Sequence, residues 1–109
     1  MINEWLRKTS NDGFRRRKLI CNDGFSMSVQ ASRIHYCHPR ENNADFYTEV
    51  EIGYPSDVED ELIYYAEDRY HPTETVYGYV PVELVDKIIS KHGGVVQEKT
   101  TEEDLWIGI

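Results

Sequence analysis

The residues best suited to metal binding or nucleophilic chemistry lie together in the middle of the chain. His35 and Cys37 are two positions apart, so on a strand their side chains would project to one face. Cys21, His38 and His71 are possible further ligands. The spacing matches no CxxC pair or HExxH motif, and a half-buried strand often contains one Cys and one His for packing alone. We therefore predict no metal site.

Enzymatic activity is not indicated by the remaining reactive residues either. An imidazolium beside Cys37 could lower the pKa of its thiol, but a catalytic Cys and His are brought together by the fold, not by adjacency in sequence. The seventeen acidic residues after position 40 will form carboxylate pairs by chance, most of them on a solvated surface. The sequence thus predicts no catalytic residue, no enzyme and no cofactor.

Binding of a nucleotide-like ligand is the chemistry that the sequence favours most. Four basic residues, 15–18, fall on one predicted strand, and guanidinium groups match the geometry of phosphate oxygens. The eight tyrosines could stack on a base and hydrogen-bond to it. The expected ligand-binding residues are Arg40, Tyr36, His38, Arg15, Arg17, Tyr77 and Tyr79. In the alternative interpretation, the basic run is a solvated strand face and the tyrosines belong to the core and its rim.

Charge is distributed unevenly along the chain. Residues 1–40 carry a net charge of +5, and residues 41–109 carry −13, for a total of −8. The total argues against direct binding of nucleic acid, which depends on Lys and Arg neutralising phosphates. The asymmetry is compatible with a homodimer or a higher homo-oligomer, or with two parts that neutralise each other within one fold.

An acidic run after residue 56 suggests a second kind of partner. Its carboxylates could imitate the phosphates of a nucleic acid and occupy the basic channel of a bacterial immune nuclease. The partner-binding residues of this alternative are Asp57, Glu59, Asp60, Glu61, Glu67 and Asp68.

The pattern of apolar residues predicts one α+β domain over 1–109, with a small antiparallel sheet packed against two short helices. An N-terminal amphipathic turn (1–8) precedes a hairpin of strands 14–21 and 25–30 around Asn22-Asp23-Gly24, and strands 34–37, 46–53 and 76–80 follow. In the strand 46–53, alternation predicts one face with Phe46, Thr48, Val50 and Ile52 and an opposite face with Tyr47, Glu49 and Glu51. In the strand 76–80, Tyr77 and Tyr79 are expected on the same face.

Two helices and an apolar end complete the prediction. Ser56 to Glu59 matches a capping box for a helix to about residue 68, and Pro81 begins a second helix that ends at 91–93. Residues 95–97 are a possible edge strand, and 98–104 are expected to be a mobile acidic segment. The apolar residues among 105–109 are expected at a dimer interface or on the chain's own sheet. The chain has only two cysteines and shows neither a signal-like segment nor a long apolar run. We therefore expect a location in the cytoplasm, away from membranes.

Several segments resemble small uncharacterised accessory proteins encoded by phages and prophages. The resemblance rests on KLICNDGFSMSVQAS (18–32), HYC (35–37), PR (39–40), TVYGYVPVE (75–83) and HGG (92–94), within residues 12–94. It implies no catalytic residues. It implies an anti-defence protein of the host bacterial cytoplasm that acts by binding, either as a sponge for an immune nucleotide signal or as an anti-CRISPR type of nuclease inhibitor.

Overall fold

The structure, a computed structural model, describes residues 1–9 and 15–96. Within these ranges four antiparallel strands form one sheet in the order β1-β2-β3-β4, accompanied by short helices. The elements are α1 (Ile2–Lys8), β1 (Leu19–Ile20), β2 (Ser26–Gln30), β3 (Glu49–Gly53), a 3₁₀-helix (Asp60–Tyr65), β4 (Val76–Pro81) and α2 (Val82–Lys91). The predicted α+β class is confirmed. The predictions for 98–104 and 105–109 lie outside the described residues.

Alternation along the strands places one face of the sheet in the core. Met27 and Val29 of β2 and Val50 and Ile52 of β3 are fully buried. Helix α2 begins after Pro81 as predicted and adds its apolar stripe to the same core, including Val85, Ile88 and Ile89. Helix α1 packs beside α2. On the opposite face of β3, Glu49 and Glu51 are half-buried.

The predicted hairpin forms, but its first strand is short. Leu19 pairs with Met27 across β1 and β2, and Gly24 in the turn has a φ of +96°, a conformation that favours glycine. Residues 15–18 belong to no strand. The predicted strand 14–21 is thus wrong except at its end, and position 14 lies outside the described residues.

The Gln30 side chain bonds to the Arg16 backbone, where a longer first strand would have had a backbone partner. The Arg16 N–H donates to Gln30 Oε1, and Gln30 Nε2 donates to Arg16 O, both at 2.8 Å. The buried Arg16 guanidinium in turn donates to the carbonyls of Leu6 and Ala31. Gln30 is therefore buried, although regular alternation along the predicted strand 25–30 would place it on the solvent-exposed face. The four basic residues do not form one strand face, because Arg16 points into the protein.

The predicted strand at 34–37 is also wrong. The Ser32 hydroxyl accepts a hydrogen bond from the Ile34 N–H at 3.1 Å, and the Cys37 N–H donates to the His35 carbonyl at 3.0 Å. Such local bonds compete with a strand ladder and bend the chain. The segment consequently forms a loop, which bonds to Glu51 of β3 and Tyr79 of β4, rather than a further strand.

The strand predicted at 46–53 begins later, at Glu49. Asn3 of α1 accepts a hydrogen bond from the Tyr47 N–H at 2.7 Å and donates to the Tyr47 carbonyl at 2.9 Å. This side chain holds Tyr47 in the core, whereas Phe46 remains exposed. The predicted face is therefore correct for Val50 and wrong for Phe46.

The predicted capping box does not form. The Ser56 hydroxyl accepts a hydrogen bond from the Ser26 N–H at 2.9 Å, so Ser56 ties the loop to β2 instead of capping a helix. The helical segment is a 3₁₀-helix that starts at Asp60, after Glu59. The edge strand predicted at 95–97 is reduced to a single bridge between Val95 and Cys21, and position 97 lies outside the described residues.

Candidate functional site

A β-bulge interrupts the pairing of β3 with β4 on the surface side of the sheet. The register shifts between Val50 and Ile52. At this point the single residue Glu51 lies opposite two residues, Gly78 and Tyr79. Tyr79 has a φ of +54°, in the left-handed region that residues other than glycine rarely adopt. Backbone strain of this kind often accompanies a functional surface.

The bulge separates the two tyrosines of β4. Tyr77 is fully buried, and its hydroxyl donates to the Pro72 carbonyl at 2.5 Å. Tyr79 is 43% exposed. The prediction that both lie on one face is wrong, because the extra residue in the bulge breaks the alternation. A surface ligand can therefore reach Tyr79 but not Tyr77 in this conformation.

Tyr36 lies against the bulge and is held there by its backbone. Its N–H donates to Glu51 Oε1 and its carbonyl accepts from the Tyr79 N–H, both at 3.0 Å. The rings of Tyr36 and Tyr79 are in contact, with centroids 5.9 Å apart and a tilt of 41°. Gly78 permits this approach, because a Cβ there would stand 3.3 Å from the Tyr36 Cβ.

Arg40 completes this group of exposed residues. Its guanidinium lies over the Tyr36 ring, 5.8 Å from the centroid, in a cation–π contact. No carboxylate among the described residues forms an ion pair with it. Tyr36 itself is 47% exposed. We call Tyr36, Arg40 and Tyr79 the Tyr–Arg patch.

The other predicted ligand residues have different surroundings. His38 is exposed, and its backbone N–H and C=O bond to Glu49 and Thr48 at the start of β3, which anchors the loop carrying Tyr36 and Arg40. The Arg17 guanidinium lies over the Trp5 ring of α1 at 5.9 Å. Arg15 is exposed. Three of the seven predicted residues therefore meet in one patch.

His35 and Cys37 belong to the same loop as Tyr36, and the side chain of Cys37 is buried while that of His35 is half-buried. Ser32 Oγ lies 2.7 Å from His35 Nδ1, and Cys37 Sγ donates to the Ser32 carbonyl at 3.1 Å. Burial lowers the pKa of His35 and raises the pKa of Cys37, so a neutral imidazole and a protonated thiol are favoured. Burial likewise raises the pKa of Cys21 to about 11. Over 1–9 and 15–96, no cluster of three His, Cys, Asp or Glu side chains could hold a metal ion.

The acidic residues of the alternative prediction are largely engaged within the protein. Glu59 is only 3% exposed and bonds to Lys91 Nζ at 3.1 Å and to His92 Nε2 at 2.5 Å. Two further members have basic partners: Glu61 pairs with Lys87, and Asp68 with His71. Asp57, Asp60 and Glu67 are exposed. This surface is thus less negative than the sequence suggests.

A concave region separate from the Tyr–Arg patch lies between α1 and the segment before Tyr47. Its lining comprises Leu6, Arg7, Arg16, Asn43, Ala44, Asp45 and Tyr47. Arg7 Nη1 donates to the Asp45 carbonyl at 2.9 Å, and the buried Arg16 donates to backbone carbonyls. Both guanidinium groups therefore hold the backbone together.

Two residues of the site were not predicted from the sequence. Glu51 and Gly78 define the bulge, and Glu51 holds the Tyr36 backbone. Gly78 did carry a signal, because a glycine inside a strand pattern often marks a bulge or a close backbone approach. Glu51 carried none, since it occupies an ordinary polar position in an alternating strand.

Comparison of the chain with protein-family models, with curated proteins and with solved structures finds no match. Across the part of the chain that the structure describes, no helix is long and apolar enough to cross a membrane.

Proposed function

We propose that this protein is a non-enzymatic binder of a nucleotide-derived signal, and that the Tyr–Arg patch is its ligand site. The observation that carries the proposal is the exposed contact of Tyr36 with Tyr79, with the Arg40 guanidinium over the Tyr36 ring. Base stacking on an aromatic side chain contributes about 1–3 kcal/mol, and guanidinium groups bind phosphate oxygens strongly. The patch supplies both kinds of contact.

The contact distance determines where a base would stack. A ring inserted between two others needs about 7 Å, because each stacked contact takes about 3.5 Å. The Tyr36 and Tyr79 centroids are 5.9 Å apart, so these rings already touch. A base would therefore lie on an outer face of the pair, and Arg40 would turn toward the phosphate.

The charge of the protein favours a small anion over a nucleic acid strand. A net charge of −8 repels a long polyanion, whereas a small nucleotide meets only the local field of the patch. Together with the resemblance to phage and prophage proteins, this supports a phage-encoded sponge that sequesters an immune signal in the bacterial cytoplasm. The alternative of an acidic nuclease inhibitor has less support, because Glu59, Glu61 and Asp68 have basic partners.

Calorimetric titration tests this proposal. The purified full chain is titrated with a panel of cyclic nucleotides and cyclic ADP-ribose isomers, and bound ligand is recovered to check that it is unchanged. We expect stoichiometric binding of at least one compound without turnover. Arg40→Ala should weaken that binding at least about tenfold, the loss of one charge-assisted contact.

Arg69→Ala is the matched control, because Arg69 lies over the Tyr70 ring at 5.9 Å in the same kind of contact. It should leave binding unchanged. Uptake of no compound in the panel, or equal losses in both variants, would contradict the proposal.

A further inference from the structure

Glu51 offers an unused carboxylate oxygen beside the Tyr–Arg patch. Its Oε1 accepts the Tyr36 N–H at 3.0 Å. Its Oε2 has no hydrogen-bond or ion-pair partner among the described residues. The residue is half-buried. Oε1 therefore orients the carboxylate and keeps a second lone pair, so that both oxygens are able to accept a hydrogen bond from a ligand.

The fold places Glu51 beside two residues of the Tyr–Arg patch, Tyr36 and Tyr79. Glu51 lies opposite Gly78 and Tyr79 in the bulge, so it is placed by the same irregularity that places the Tyr79 ring. Burial raises the pKa of Cys37, and the charges of Arg40 and Glu51 act on that thiol in opposite directions. The Arg40 and Glu51 side chains thus both lie within electrostatic range of the buried Cys37 thiol.

We propose that Glu51 selects guanine, so that the ligand of the patch is a guanine nucleotide. This inference rests on the proposed function. The Watson–Crick edge of guanine presents two neighbouring donors, N1–H and the N2 amine, which a carboxylate can accept in parallel. Adenine presents one amine donor beside the lone pair of N1, which faces a carboxylate unfavourably.

Discrimination of this kind can be large. A site built to hydrogen-bond its ligand rejects an analogue that leaves the polar groups unpaired. The half-buried position of Glu51 strengthens the effect, since water replaces the missing donors less completely there. Hypoxanthine, which keeps N1–H and lacks the N2 amine, should bind with intermediate affinity.

The test compares cyclic GMP, cyclic IMP and cyclic AMP in calorimetric titrations of the full chain. We expect cyclic GMP to bind at least about tenfold more tightly than cyclic AMP, with cyclic IMP between them. Glu51→Gln should remove this preference, because the amide can still accept the Tyr36 N–H but replaces one acceptor with a donor. Circular dichroism verifies that the variant is folded.

Glu49→Gln is the control, since Glu49 precedes Glu51 by two positions and projects from the same face of β3. It should retain the preference for cyclic GMP. Equal affinity of the wild type for the guanine and adenine nucleotides, or an unchanged preference in Glu51→Gln, would overturn the guanine inference and leave the proposed function standing. Binding of none of the three nucleotides would overturn the guanine inference, and absence of binding across the wider panel would overturn the proposed function as well.

Discussion

The substitution Glu59→Gln should destabilise the fold strongly, because Glu59 joins three separate parts of the chain. Its carboxylate is almost completely buried and accepts from Lys91 and from His92, and His92 also bonds to Asp23 in the hairpin turn. His92 further stacks on Phe25, with centroids 4.1 Å apart. Gln preserves the shape of the side chain but places an amine where a donor already points.

The size of the effect follows from burial and charge. Hydrogen bonds to charged groups contribute about 1.5–3 kcal/mol each, and one of the two acceptors of Glu59 survives in Gln. We therefore expect a loss of about 2–3 kcal/mol in the free energy of unfolding. A chain of 109 residues has an unfolding entropy of about 0.23 kcal/mol per kelvin. The melting temperature should consequently fall by roughly 9–13 °C.

Differential scanning calorimetry of Glu59→Gln beside Glu61→Gln measures this difference. Glu61 is exposed and pairs with the exposed Lys87, so its replacement should leave the melting temperature almost unchanged. Equal shifts in the two variants would refute the reasoning, since they would mean that burial of the Glu59 carboxylate adds nothing.

Three other outcomes are expected. Burial alone would lower the pKa of His92, but hydrogen bonds to Glu59 and Asp23 outweigh it and raise the pKa. The contribution of His92 to the free energy of unfolding should therefore be fully present below about pH 6.5 and decline as pH rises through the folded-state pKa. Urea titrations of His92→Gln should lack this decline. Gly78→Ala should weaken nucleotide binding several-fold in calorimetry by displacing Tyr36, whereas Gly53→Ala, whose new Cβ would meet an ordinary contact at 3.5 Å, should not. Light scattering at micromolar concentration should give at least a dimer mass, and a monomer mass would contradict the predicted assembly.

The elements that the sequence predicts well are those determined by local patterns. The Asp-Gly turn demands a positive φ at Gly24, and Pro81 together with a 3.6-residue apolar stripe defines α2. The two strands whose starts were predicted too early, 14–21 and 46–53, share one physical cause. Gln30 and Asn3 use their side-chain amides to replace backbone partners, and no propensity or alternation reveals a hydrogen bond between residues so far apart in sequence.

The candidate site could be predicted in composition but not in arrangement. Tyr36, Arg40 and Tyr79 were identifiable as residue types suited to bases and phosphates. Their meeting depends on one extra residue in β4, and regular alternation would have placed Tyr79 on the face of Tyr77. The role of Glu51 depends on the same bulge, so its position could not be inferred before the pairing of β3 with β4 was known.

The order of the two bulge residues, Gly78 before Tyr79, favours a role of the bulge at the protein surface. Glycine adopts positive φ at little cost, so the backbone alone would favour glycine at the position that has φ +54°. Tyr79 occupies that position instead, and Gly78 stands where a side chain would press on Tyr36. Gly78 therefore allows the Tyr36 side chain to approach β4, and the positive φ of Tyr79 determines where the Tyr79 ring lies. A bulge required only for folding would need neither ring exposed, so the combination supports the proposed ligand site.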